Sequence, residues 1–327
     1  MTMKFVNAIL TVLYGVGGAL IVYWLLNKLA ELLPGKWEDR IKPYFYILPA
    51  LCAIGLYLVY PAWQTIVFSF ANRESTAWVG FKNYRDLLGS SDFRSTLFNT
   101  LLWILIVPAV TIFFGLIIAV LADRLQPQAE KTAKTIIFLP MAISAVGAGT
   151  VWKFIYAANP PGQPQVGLQN AIITKFGVDP VNWLQLSDFR VNSLLLMVTL
   201  LWAQVGFAMV LLSAAIKGVP SETLEAARVD GANERQIFGR VVIPQIRTTI
   251  ITVFVTVTIG VMKIFDIVYV MTNGNFSTNV VGNEFFNQLF SNNNNGYAAA
   301  IVVLLMLAII PLMVYQVRQF RAEEAAR

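Results

Sequence analysis

Seven stretches of this chain stay apolar for about 20 residues or more, the length an α-helix needs to cross a hydrocarbon layer about 30 Å thick. They fall at roughly 5–26, 43–71, 98–122, 135–157, 193–216, 248–271 and 297–317. The second is long, and Pro49 and Pro61 within it predict a tilt or bend. Only 13% of residues are charged, about half the roughly 25% of a soluble domain, so the chain cannot cover a water-facing surface of ordinary size. The expected fold is all-α: a polytopic membrane helix bundle of about seven transmembrane helices, inserted in a lipid bilayer.

Lysine and arginine give the orientation. One side carries Lys28, Lys36, Arg40 and Lys42; Arg124, Lys131 and Lys134; Lys217, Arg228, Arg235, Arg240 and Arg247; and the tail residues Arg318, Arg321 and Arg327. The other carries Lys4, Arg73, Lys82, Arg85, Arg94, Lys175 and Arg190. The richer side is expected to face the cytoplasm, with the N-terminus outside and the C-terminus inside. The net charge of +6 is explained by these loops, and no nucleic-acid partner is expected. The first run exceeds a signal-peptide core and no A-x-A site follows it, so it reads as a retained anchor.

The chain has no histidine and one cysteine, Cys52. That excludes an internal disulfide, a Cys/His zinc cluster and a Ser-His-Asp or Cys-His nucleophile. No G-x-x-x-x-G-K-[ST] phosphate loop is present: Gly35-Lys36 is followed by Trp37 and lacks the earlier glycine. Asn292–Asn295 reads as an exposed polar turn.

The segment 219–247, VPSETLEAARVDGANERQIFGRVVIPQIR, is too polar to span and too patterned to be slack. Pro220-Ser221 is a helix start, with the Ser221 hydroxyl expected to cap. Gly231 marks a conformation that a side chain would resist. Asn233 and Gln236 form a capping-box pattern. Ile237, Phe238, Val241 and Val242 make the apolar stripe of a second helix, and Pro244 is expected to stop it before the next span. Two short helices at a sharp angle make a knob that a partner can grip, or an amphipathic loop lying on lipid headgroups; the pattern alone leaves both open.

Glu225-Ala226-Ala227, Asp230-Gly231-Ala232, Phe238 and Ile243-Pro244 resemble the EAA signature of ABC-importer permeases, E-A-A-x-x-D-G-A followed by F-x-x-V-x-I-P. Asp230 before the glycine resembles the carbohydrate, maltose-type branch; Val241 stands where isoleucine is more usual. Further likeness lies in Val79-Gly80-Phe81-x-Asn83-Tyr84, in Phe138-Leu139-Pro140 with Trp152, and in Gly167-Leu168-x-Asn170 with Trp183-Leu184. It extends to Phe265-Asp266-x-Val268 and Gly296-Tyr297-Ala298-x-Ala300. Where the branch often has Gly-Gly-Pro, this chain has Asn273-Gly274-Asn275. The resemblance implies a six-span core over 43–318 containing the coupling loop 219–244. Residues 1–42 add a span and linker, and 319–327 form a cytoplasmic tail.

The resemblance further implies a bacterial inner-membrane subunit with no ATPase activity or cofactor of its own. Its partners would be a second permease, two ATP-binding-cassette subunits holding ATP and Mg, and an extracytoplasmic solute-binding protein. Glu225 would meet a basic residue of the ATPase, Ala226 and Ala227 would allow close approach, Gly231 would set the knob's angle and Phe238 would anchor it.

Sugars bind to aromatic faces and hydrogen-bonding side chains near mid-membrane, which nominates Trp202, Gln204, Lys263, Asp266, Tyr269 and Asn283. Lys263 and Asp266 at i, i+3 are also placed to pair with each other; Trp202 also suits packing, and Lys153 snorkelling. The expected solute is an α-glucoside or disaccharide. The rivals are a permease for glycerol phosphate, amino acids or peptides, an ion-coupled carrier, an intramembrane enzyme, and a scaffold without a path.

Overall fold

The computed structural model describes residues 2–32 and 35–326; Met1, Leu33, Pro34 and Arg327, the last counted above among the basic tail residues, lie outside them. Packing divides the chain into two compact units, Met1–Val67 and Phe68–Arg327. Among the described residues five helices are long and apolar enough to cross a membrane, and two sharply bent helix pairs bring the number to seven if each pair is one crossing. Among the described residues the only extended pairing is an isolated bridge between Ala71 and Trp78.

In the first unit, α1 (Thr2–Glu31) packs against α2 (Gly35–Ile54), with the rings of Tyr23 and Tyr46 stacked at 6.2 Å. The Tyr46 hydroxyl donates to Asn27 Oδ1 at 2.9 Å. A π-turn at Gly55–Val59 joins α2 to α3 (Tyr60–Phe68) just ahead of Pro61. The wider turn absorbs the N–H that proline lacks, so the long second run stays one continuous crossing, Arg40–Phe68.

The second unit holds the remaining helices: α4 (Lys82–Gly89), α5 (Ser91–Ala122), α6 (Pro127–Phe138), α7 (Ala145–Ile155), α8 (Leu168–Lys175) and α9 (Val191–Lys217). Then come α10 (Ser221–Val229), α11 (Glu234–Ile237), α12 (Ile243–Gln245) and α13 (Arg247–Met262). Last are α14 (Asp266–Met271), α15 (Val281–Phe286) and α16 (Asn295–Ala326). Its core forms where α5 and α9 pack side by side with α13 against them, burying Trp103, Val107, Leu196, Met197, Met209 and Val253. Small residues set the spacing, as they do where lipid supplies no hydrophobic drive between helices. A Cβ on Gly115 would lie 2.8 Å from that of Ala208, and one on Gly206 only 2.3 Å from the Ile137 carbonyl oxygen.

Two expected straight spans are broken. The fourth run bends by 100° between Pro127–Ala142 and Ala145–Ile155. Pro140 interrupts the helical ladder within a 3-10 turn, Leu139–Ala142, and Ser144 starts α7 by accepting from the Gly147 N–H at 3.1 Å. The sixth run ends as α13 at Met262, unwinds over 263–265 and resumes as α14. Gly282 backs the unwound turn: its Cβ would stand 2.5 Å from the Ile264 carbonyl oxygen.

Buried asparagines tie the connecting loops to the bundle. Asn83 donates to the Ser69 and Ala71 carbonyls, both at 2.8 Å, and the Tyr84 hydroxyl donates to Ser69 Oγ at 2.7 Å. Asn170 Nδ2 donates to the Ala157 and Val181 carbonyls, while its Oδ1 accepts from Val181 N and Trp183 Nε1. Asn99 on α5 donates to the Thr278 and Asn279 carbonyls, fastening the loop around Asn273-Gly274-Asn275. The motif residues Asn83, Tyr84, Asn170 and Trp183 are thus loop fasteners.

Candidate functional site

The knob begins at Pro220, which occupies the N-cap position itself, and no side chain caps α10. Ser221 falls one residue inside the helix, so the expected hydroxyl cap is not formed. At the other end the chain reverses through a Schellman turn. Gly231 sits at φ +80°, its N–H bonds to the Arg228 carbonyl, and the Ala232 N–H reaches back to the Ala227 carbonyl, both at 3.0 Å. Arg228 Nε bonds to Glu234 Oε1 at 3.0 Å across the turn. The second helix opens with the expected capping box: Gln236 N–H donates to Asn233 Oδ1 at 3.0 Å, and Asn233 N–H to Gln236 Oε1 at 2.8 Å.

Pro244 does not stop this helix. A π-turn at Phe238–Val242 precedes it, α12 runs on to Gln245, and the bend of 68° comes before Arg247. The π-turn re-registers the ladder where proline lacks its donor. The stripe packs as expected: Val219, Ile237, Val242 and Ile246 are buried together, with Leu116 of α5 and Ile216 of α9 against them. Phe238 is half-buried in the same cluster, so it fixes the knob to its own helices.

That bracing leaves one face of α10 in the open. Glu225, Ala226, Val229 and Asp230 are exposed, Val229 by 88%, and Gly231 beside them has open space around it. Ala227 turns inward with Leu224. Among the described residues Glu225 has no hydrogen bond or ion pair, so an unpaired carboxylate stands beside a bare apolar side chain on a rigid support. Such a face suits a partner surface better than water.

The six solute-path candidates separate into different surroundings. Trp202 is half-buried on α9, edge-on to Trp152 at 6.0 Å, in an apolar groove of about 550 Å³ that Phe114, Ile136, Pro140 and Val205 help to line. Gln204 is half-buried two residues further along the helix. Lys263 lies exposed in the unwound turn and Asp266 opens α14 half-exposed. The helix ends between them, so the i, i+3 pairing fails, and no ion pair joins them among the described residues. Tyr269 is exposed by 42% and belongs to a ladder of rings. Phe265 lies 5.0 Å from Tyr269 and 4.5 Å from Phe286, and Phe290 continues the row 4.7 Å beyond Phe286. Asn283 is fully buried: its Nδ2 donates to Asn279 Oδ1 at 2.8 Å beneath Gly274. It is an internal loop support, removed from the exposed surface.

Phe286 and Phe290 are not among the sequence candidates, although their i, i+4 spacing matches that of Phe265 and Tyr269. Lys153, placed by its sequence position to snorkel, donates from its ammonium to the Val270 carbonyl at 3.2 Å, tying α7 to the last turn of α14. At the other end of the bundle Lys134 bonds to Asp123 at 2.8 Å and to Glu130 at 2.5 Å. Lys217 bonds to Glu130 at 2.5 Å, so the ends of α5, α6 and α9 share one ionic cluster.

Comparison with known proteins places this geometry in company. The family described as "Binding-protein-dependent transport system inner membrane component" matches residues 90–322. The alpha-glucoside transport system permease protein AglF of Rhizobium meliloti is 42% identical over 334 aligned positions, covering 98% of each chain. The osmoprotective compounds uptake permease protein GgtC of Synechocystis sp. is 45% identical over 282, covering 86% of this chain and 100% of its own. A crystal structure of a bacterial ABC transporter that imports the acidic polysaccharide alginate has the same fold. It superposes with a TM-score of 0.76 over 88% of this chain and 99% of its own, at 20% identity.

Proposed function

Because the chain belongs to the family of binding-protein-dependent transport system inner membrane components, we propose that it is the permease through which an ATP-driven importer passes an α-glucoside or disaccharide. The alpha-glucoside permease that matches it along its whole length supports that solute class. The uptake of osmoprotective compounds by the second relative supports glucosylated osmolytes as a narrower reading of the same site.

The observation that carries the mechanism is the braced knob with Glu225, Ala226, Val229 and Asp230 outward. Two ATPase subunits, holding ATP and Mg, grip this knob and that of a second permease. Glu225 meets a basic group of the ATPase and Ala226 lets its surface come close. Phe238, Ile237 and Val242 pass the movement to the ends of α5 and α9, because a packed cluster transmits displacement rather than absorbing it. The permease pair then rocks between outward and inward access, receiving solute from an extracytoplasmic binding protein. In this reading residues 43–318 are the six-span core, the N-terminus lies outside and the knob is cytoplasmic.

The solute path runs by the break after α13. Lys263, Asp266 and Tyr269 line it, and the ring ladder of Phe265, Phe286 and Phe290 offers faces on which a sugar ring stacks. Unwound turns are where transporters present backbone and side chains to a solute. Trp202 and Gln204 form a second wall on α9.

Binding-protein-dependent uptake into proteoliposomes by the assembled complex tests the reading. Radiolabelled trehalose, sucrose or a glucosylated polyol is expected to enter only with ATP, and Glu225→Lys to abolish both entry and ATPase co-purification. Undiminished uptake by Glu225→Lys would remove the knob from the mechanism. Uptake of an amino acid in place of every sugar would remove the solute class.

A further inference from the structure

Beside the knob a groove runs along the C-terminal third of α5 and ends in unpaired positive charge. Its apolar part, about 310 Å³, is walled by Phe113, Leu116, Ile117, Val120 and Leu121 and closed at one end by Phe238. Phe113 and Leu121 are 59% and 57% exposed, so this wall offers bare hydrocarbon on a helix long and apolar enough to cross a membrane. Val120, Arg124 and Phe238 are shared with a second cavity, about 570 Å³, between α5, α9 and the knob.

The lining charges of that second cavity are Asp123, Arg124, Arg228, Glu234 and Arg235. Each carboxylate already has a cation: Asp123 Oδ1 pairs with Lys134 at 2.8 Å, while its Oδ2 is buried without a hydrogen-bond partner, and Glu234 pairs with Arg228 at 3.0 Å. Arg124 and Arg235 have no ion pair among the described residues, so the cavity keeps two free guanidiniums. An apolar slot joined end-on to two such groups matches one ligand chemistry: a hydrocarbon tail carrying an anionic phosphate. Guanidinium binds phosphate through paired N–H donors, and the cytoplasmic leaflet supplies such lipids beside basic residues.

We propose that this groove holds an anionic phospholipid, its acyl chain along α5 and its phosphate between Arg124 and Arg235, wedged against the knob. The site rests on the orientation given above and not on the identity of the solute. A lipid there packs on Phe238, the residue that braces the knob, and so stiffens the connection between ATPase and helices.

Native mass spectrometry of the purified complex, extracted from mixed phosphatidylcholine–phosphatidylglycerol nanodiscs, reads the site without any transport step. The parental complex is expected to retain phosphatidylglycerol. Removing both guanidiniums in Arg124→Gln/Arg235→Gln lowers the retained amount by about thirtyfold, from the usual contribution of a basic residue at an anionic surface. Ile117→Trp, which fills the slot and keeps both arginines, is expected to lose the lipid as well. Excess inorganic phosphate is expected not to displace it; displacement would mean a free-anion site and overturn the lipid assignment. A photoreactive phosphatidylglycerol on the unaltered complex is expected to label 113–121, so the proposal does not depend on the variants folding. Labelling confined to other segments, or equal retention by all variants, would refute it. Failure of sugar uptake with intact lipid retention would strike the proposed function alone.

Discussion

Gly231 separates two reasons for a glycine at the corner of the knob. Its φ of +80° is a left-handed conformation, and among the described residues nothing beyond its own chain neighbours stands within 4 Å of where a Cβ would be. Gly231→Ala therefore meets no internal clash and bears only the left-handed penalty, roughly 1–2 kcal/mol for an ordinary L-residue. If the corner must keep this conformation for the ATPase to seat, that penalty lowers the competent population by about five- to thirtyfold. Asparagine tolerates this region far better than alanine, so Gly231→Asn is expected to retain more activity although it is larger. The assay is ATP-dependent uptake in proteoliposomes, with ATPase co-purification measured on the same preparations. Uptake by the asparagine variant at or below that of the alanine variant would refute the conformational argument. Clearance against the partner, and not the angle of the turn, would then be what glycine provides.

Asn170→Ala removes four hydrogen bonds around a buried amide. It is expected to destabilise the 157–183 loop by about 3 kcal/mol, seen as faster hydrogen exchange there with the knob unchanged. Gly206→Val drives side-chain atoms into the Ile137 backbone. It should cost several times the roughly 1–3 kcal/mol of ordinary overpacking, visible as a lower Tm and loss of assembled complex. Tyr269→Ala and Asp266→Asn are expected to reduce uptake about tenfold or more, as losing a stacking face or a charge-assisted hydrogen bond does, with assembly normal. Parental rates in both would withdraw the path beside the α13 break.

Local chemistry was the part of this molecule readable in the sequence. The apolar runs are long enough to declare themselves. The capping box needs only Asn233 and Gln236 three residues apart, and the corner at Gly231 follows from backbone sterics. Ser221 does not cap because Pro220, itself in extended conformation, takes the N-cap position and leaves Ser221 one residue inside the helix. The breaks at 143–144 and 263–265 were hidden because hydropathy is blind to direction: a run bent by 100° is as apolar as a straight one. Once the sixth run unwinds, the helical spacing that would join Lys263 to Asp266 no longer applies. The ladder from Phe265 to Phe290 joins α14 to α15 across a loop, a proximity that only the packed chain reveals. The polarity of Asn283 suits a solute contact in sequence, whereas in the packed chain it serves the loop under Gly274.

If the knob is, as proposed, a cytoplasmic handle for a separate motor, a single cysteine on it reports both its side of the membrane and its partner. Cys52 is the only native thiol, so Val229→Cys in a Cys52→Ser background places one thiol on the outward face of α10, where Val229 is 88% exposed. Labelling by an impermeant thiol reagent is expected in inverted vesicles but not in intact spheroplasts, with protection once the ATPase is bound and a cross-link to that subunit. Labelling from the outside, or a thiol that stays reactive in the assembled, ATP-hydrolysing complex, would contradict it.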